Sequence, residues 1–227
     1  MVVKSSTVVG QMLHREISVW ARLENENILP FYGVAFGFGP LPALVCPWAA
    51  NGTLHQYLMD HGDLDLLDRL KLLCDMANGL DYLHGQKVIH GDLTSANVLI
   101  NAEFLGTSYF TDSSRGHVRW AAPELFDLAN YDTPRAILNE KTDIYSFGSL
   151  MLQVLSGKVP FPVDNPDLVL LRVSLGERPP REVCWNGRPI PDILWLFIVT
   201  CWDYIQLSRP SSAEVLGFIQ RQTLDLL

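Results

Sequence analysis

No stretch of the 227 residues stays apolar for the roughly 20 positions that a membrane-spanning helix needs. The most apolar run, Ile193–Trp202, reaches about half that length between Asp192 and Asp203, and predicts a buried core helix instead. Cysteine is scarce. Cys46, Cys74, Cys184 and Cys201 are scattered without a Cys-x-x-Cys pair, which argues against a zinc site or a dense disulfide framework and predicts a reducing, cytoplasmic setting. Positive charge is in deficit: 17 Lys and Arg face 25 Asp and Glu, a net charge of −8, so neither nucleic acid nor an anionic membrane is expected as a partner. No repeat and no low-complexity tract is present, which removes solenoids and Pro-rich linkers. Near the start, Lys4, Ser5, Ser6 and Thr7 interrupt the apolar residues before a signal-peptide core can form.

What is present is a globular composition, 48% apolar and 19% charged, in a chain long enough for one large domain or a two-lobed unit. The first quarter predicts a small α+β part. Leu13, Ile17, Trp20 and Leu23 share one helical face over residues 12–24, and Asn25 to Pro30 break it. Residues 31–38 and 41–46, apolar and parted by Gly39 and Pro40, predict two adjacent strands. After Asn51-Gly52 the pattern turns helical, with Leu66, Leu70, Leu73, Ala77, Leu80 and Leu83 forming one long stripe. Further helices are predicted over 123–128, 141–155, 166–175, 190–202 and 211–224. Residues 88–114 hold no sustained period, so polar chemistry is expected there.

Within that segment, Val88-Ile89-His90-Gly91-Asp92-Leu93-Thr94-Ser95-Ala96-Asn97-Val98-Leu99-Ile100 places a polar loop between apolar flanks. It resembles the catalytic loop of protein kinases, in which an Asp and an Asn at this spacing supply the base and a magnesium ligand. The resemblance implies that Asp92 meets the substrate hydroxyl and that Asn97 reaches the cation bridging the phosphates of ATP. It continues downstream in order. Arg119-Trp120-Ala121-Ala122-Pro123-Glu124 resembles the end of the activation segment, and Lys141 to Gly148 resembles the central helix whose Asp, here Asp143, anchors the catalytic loop. Cys201-Trp202 and Ser208-Arg209-Pro210 resemble the late motif whose Arg pairs with the Glu of Ala-Pro-Glu, which implies a buried Arg209–Glu124 pair. Upstream, Glu16 resembles the helix Glu of the small lobe, and Lys4 the strand Lys that pairs with it and holds the nucleotide phosphates. Residues 44–54 resemble the strand and hinge, which puts Cys46 at the gatekeeper position and offers the Pro47 carbonyl and the Ala49 N–H to adenine. Proline lacks only the donor, which its position need not supply.

The implied fold is therefore α+β and protein-kinase-like: a truncated small β lobe over 1–46, a hinge over 47–52 and a mainly helical large lobe over 53–227. The sequence also departs from the family pattern. No Gly-x-Gly-x-x-Gly loop precedes Lys4, and Gly37 and Gly39 lie after Glu16 and before Pro40, where they cannot replace it. Between Asn97 and Ala122 no Asp-Phe-Gly occurs, and Asp112, followed by Ser113 and Ser114, stands too close to Ala122-Pro123-Glu124 to take its place. Gly91 occupies the position where many kinases carry an Arg that binds a phosphorylated activation loop. Thr107, Ser108, Tyr109, Thr111, Ser113 and Ser114 are candidate phosphoacceptors.

Three readings follow. One is an ATP- and magnesium-dependent kinase of the tyrosine-kinase-like group, suggested by Arg119-Trp120 and Cys201-Trp202, acting on a protein Ser/Thr or Tyr hydroxyl. Its missing pieces would then lie in segments omitted from this chain. The second is a pseudokinase that binds signalling partners without transferring phosphate, and the third an unstable fragment with an unpaired strand edge.

Overall fold

A computed structural model describes residues 17–39, 42–101, 105–107, 115–126, 138–181 and 187–227. Lys4, Glu16, Pro40, Asp112, Cys184 and most of the candidate phosphoacceptors lie outside these residues. The architecture is α+β with few strands, arranged as a small strand-bearing part on a larger helical one.

The small part begins with residues 17–20, which are helical. The helix expected to run on to residue 24 stops earlier: Arg22 and Leu23 bond three residues back to Val19 and Trp20, and Asn25 Oδ1 then accepts the N–H of Asn27 and turns the chain. Trp20 explains why this turn docks: its ring is buried, packs 5.0 Å from Phe31, and its indole N–H donates to the Leu29 carbonyl at 2.6 Å. β1 (Gly33–Ala35) and β2 (Ala43–Val45) pair antiparallel in the register Gly33↔Val45 and Ala35↔Ala43. Both are shorter than the apolar runs that predicted them, and Gly37, at φ +95°, already leaves the extended region. Trp20, Leu23, Ile28 and Leu29 close over Leu83 of the larger part, with Leu44, Cys46, Val88 and Leu99 at the rim, so the two parts share one apolar seam.

The larger part is built on α1 (Leu54–Asp60), α2 (Leu66–Gly85), α3 (Glu140–Ser156), α4 (Pro166–Ser174), α5 (Asp192–Cys201) and α6 (Ser212–Leu224). Five of the six open on a side-chain cap. Thr53, Asp65 and Asn165 accept a backbone N–H three residues on, and Asn139 and Ser211 complete capping boxes with Thr142 and Glu214. The predicted stripe of α2 is its buried face, packed against α3 and α6. α3 is buried from Thr142 to Ser156 and forms the axis of the core. Gly148 lets α3 approach α5 closely, since a Cβ there would lie 2.7 Å from that of Cys201 and 3.1 Å from Trp202 Nε1. Arg69 of α2 is wholly buried and donates to the carbonyls of Leu64, Gly62 and, at 2.5 Å, Val154 near the end of α3.

Two sequence expectations need correction. Residues 123–126 of the helix expected over 123–128 are of 3₁₀ rather than α type, with Leu125 bonded three residues back to Ala122 and Glu124 drawn sideways to Arg209, and residues 127–128 lie outside the described residues. α5 is one-sided rather than buried all round: Leu194, Ile198 and Cys201 face the core, and Ile193 and Leu196 are more than half exposed. Among the described residues no helix is long and apolar enough to cross a membrane.

Candidate active site

The polar loop of residues 88–97 leaves α2 and ends in β3 (Val98–Ile100), which pairs antiparallel with β4 (Leu105–Thr107). The segment 51–53 is stitched to the same strand. Asn51 N–H donates to the Ile100 carbonyl at 3.0 Å, Ile100 N–H to that of Gly52 at 2.8 Å, and Thr53 bridges Leu99. The apolar residues flanking the loop thus fix it beside the 47–52 segment.

Asp143 holds the loop from below. Its carboxylate is buried in the first turn of α3, where the helix dipole favours negative charge. It accepts the backbone N–H groups of His90 and Gly91 at 2.9 and 2.8 Å, and contacts His84 Nε2 at 2.9 Å. Gly91 sits at φ +76°, a left-handed conformation that glycine adopts without steric cost, and a Cβ there would lie 2.9 Å from Leu138 Cδ1.

Above this anchor, the structure brings Asp92 and Asn97 together. The Thr94 carbonyl accepts the Asn97 N–H and closes the turn between them. Asn97 Nδ2 donates to the Asp92 backbone carbonyl at 2.8 Å and to Asp92 Oδ2 at 2.7 Å. With the amide nitrogen so engaged, the amide oxygen is directed away from Asp92. The other carboxylate oxygen is met by a residue that sequence reasoning missed: His117 Nδ1 lies 2.5 Å from Asp92 Oδ1. No spacing rule links positions 92 and 117; the only signal was a histidine just before Arg119-Trp120.

His117 belongs to the 3₁₀ turn Arg115–Arg119. That turn is clamped by Arg119, which donates to the carbonyls of Pro160 at 2.9 Å, Phe161 at 2.5 Å and Asp164 at 2.6 Å. Val118 enters a small apolar cluster with Phe161, Val169 and Val173, and the Trp120 indole donates to Gln153 Oε1. The next turn is tied down by the anticipated ion pair. Arg209, almost fully buried, grips Glu124 with two bonds of 2.6 and 2.9 Å, donates to the carbonyls of Asp203 and Lys141, and lies 5.1 Å from the Tyr145 ring centre. Burial pushes the Tyr145 hydroxyl up to about 12, outweighing the lowering effect of Arg209.

In the 47–52 segment, Pro47 and Ala49 are half-buried and Trp48 is exposed. Among the described residues no backbone–backbone hydrogen bond engages the Pro47 carbonyl or the Ala49 N–H. Burial raises the pKa of the neighbouring Cys46 thiol. Among the described residues, no cluster of three or more His, Cys, Asp or Glu side chains could hold a resident metal ion. Lys4 and Glu16 lie outside the described residues.

Comparison with known sequences covers almost the whole chain. A family model described as "Protein tyrosine and serine/threonine kinase" matches residues 2–219. The serine/threonine-protein kinase VIK of Arabidopsis thaliana is 30% identical over 235 residues, covering 94% of this chain and 51% of that protein. The cytoplasmic tyrosine-protein kinase BMX of Homo sapiens is 28% identical over 234 residues, covering 96% and 33%. Mitogen-activated protein kinase kinase kinase 7 of Drosophila melanogaster is 28% identical over 232 residues, covering 94% and 32%. The chain spans about half the length of these relatives or less.

Proposed function

Because the chain belongs to the protein tyrosine and serine/threonine kinase family, we propose that it carries out phosphoryl transfer from ATP to a hydroxyl of a protein substrate. In this reading Asp92 orients the incoming hydroxyl and accepts its proton, and Asn97 holds Asp92 in place while turning its amide oxygen toward the phosphates. The adenine rests against the Pro47 carbonyl and the Ala49 N–H, with Cys46 behind it. Lys4 and Glu16 hold the phosphates, the small lobe comprises residues 1–46, the hinge 47–52 and the large lobe 53–227. The relatives include kinases named for serine/threonine and for tyrosine, so the acceptor is a Ser/Thr or a Tyr hydroxyl.

The observation that carries this reading is the 2.7 Å bond between Asn97 and Asp92, set on a loop whose backbone is bonded to buried Asp143. The donor set suits magnesium only in part. A neutral amide oxygen is a suitable ligand for a cation that arrives with the nucleotide, but no Asp-Phe-Gly carboxylate stands between Asn97 and Ala122 to complete the site. When bound, magnesium neutralises charge on the β- and γ-phosphates. Turnover is accordingly expected at least ~10²-fold below that of a kinase with the full set, by analogy with deleting one transition-state donor.

That same missing carboxylate favours a second reading, in which the chain is a pseudokinase that binds a signalling partner on its large lobe. The two separate in one experiment. Mg-ATP is titrated in a thermal-shift assay, and phosphotransfer to a peptide library offering Ser, Thr and Tyr is compared between the wild type and Asp92→Asn. Magnesium-dependent turnover that disappears in Asp92→Asn supports the kinase; its absence in the wild type supports the pseudokinase. The three described cysteines are free thiols, which supports a cytoplasmic location.

A further inference from the structure

Both oxygens of the Asp92 carboxylate have a donor of their own. Asn97 Nδ2 reaches Oδ2 from within the loop, and His117 Nδ1 reaches Oδ1 at 2.5 Å from a turn far along the chain. A carboxylate only accepts, so the ring nitrogen facing it is the donor. One donor lets a carboxylate swing about its Cβ–Cγ bond, whereas donors on the two different oxygens fix that rotation. Each carboxylate oxygen can accept more than one hydrogen bond, so holding by donors does not by itself preclude contact with a substrate hydroxyl.

We propose that His117 is a positioning residue for Asp92, fixing the carboxylate from the activation-segment side as Asn97 fixes it from the loop side. This rests on the reading of Asp92 as the group that accepts the substrate proton. His117 is suited to the task because its own backbone is fixed. Arg119, two residues on, is bonded to the Pro160, Phe161 and Asp164 carbonyls, and Val118 between them is seated against Phe161, Val169 and Val173. Order in the 160–164 loop is thereby passed through Arg119 and His117 to the carboxylate. The histidine itself is three-quarters covered, and Asp92 is 10% exposed, so the contact is shielded from competing water.

The test uses the full chain and two readouts. In 15N-labelled protein, the His117 ring resonances, assigned by their loss in His117→Ala, should report a proton on Nδ1, and Asp92→Ala should shift the ring toward the solvent mixture of tautomers. Ring resonances unmoved by Asp92→Ala would overturn the proposal whether or not the protein turns over. In the phosphotransfer assay, His117→Phe should lower kcat by about 10- to 100-fold, the range that a misplaced catalytic group costs, with KM for the peptide unchanged. His117→Asn, which restores a donor, should recover most of that loss. A KM rise with kcat intact, or no recovery in His117→Asn at an unchanged melting temperature, would overturn it. Wild-type protein without Asp92-dependent turnover defeats the kinase reading alone, and the ring resonances then decide the role of His117.

Discussion

Replacing Glu124 by Ala isolates the ion pair that ties the Pro123–Phe126 turn to the core. Arg209 is 1% exposed, and loss of its bidentate partner leaves a guanidinium with two backbone carbonyls and the Tyr145 face as its described neighbours. Removing one member of a buried pair costs about 3 to 5 kcal/mol. The Glu124 side chain is 18% exposed, so water can reach part of the gap and the lower figure applies, about 3 kcal/mol. For a chain of this size that corresponds to a fall in melting temperature of about 6 to 12 °C. Scanning calorimetry measures it directly. The exposed pair Lys71–Asp68 is the control, since its partners are about half solvent-accessible and Asp68→Asn should change stability by under ~1 kcal/mol. A double variant, Glu124→Leu with Arg209→Met, should recover much of the loss by removing the stranded charge. A shift under about 2 °C for Glu124→Ala would refute the reasoning, because the pair would then behave as a surface contact.

Gly148→Ala should lose about 1 to 3 kcal/mol in chemical denaturation, since the new Cβ would overlap that of Cys201. Asp143→Asn turns an acceptor-only group into one bearing an N–H₂ toward three donors. It should speed amide exchange at His90 and Gly91 selectively and destabilise the fold by about 2 kcal/mol. The raised pKa of Cys46 means a smaller thiolate fraction than an open cysteine at neutral pH. Alkylation should therefore be slow there and accelerate as pH rises, and Mg-ATP should protect the thiol if adenine binds beside it; mass spectrometry of the labelled peptide reads both.

Much of the helical part was legible because its signals are local. The Leu70–Leu83 stripe marks the buried face of α2, and Asn139, Asn165 and Ser211 announce the helices they cap. The pairing of Arg209 with Glu124 and the anchoring by Asp143 followed from the resemblance of the ordered motifs to those of protein kinases. α1 was missed because its seven residues are too few to show a stripe, although Thr53 supplied a cap. β4 is three residues long and takes its strand character from pairing with β3. Arg69 looks like a surface charge in sequence, and its burial depends on carbonyls supplied by elements that only the tertiary fold brings near. His117 was illegible for the same reason: its partner lies across a loop whose course no periodicity encodes.

The guanidinium of Arg69 carries a mechanical consequence. It spans from the turn preceding α2 to the last turns of α3, so fraying at either site would strand a buried cation. Neither rod can loosen by itself, and their slowest-exchanging amides should open with one common free energy, as a single cooperative unit. A partly unzipped intermediate, the form on which proteases and aggregation act, is thereby denied its easiest starting point.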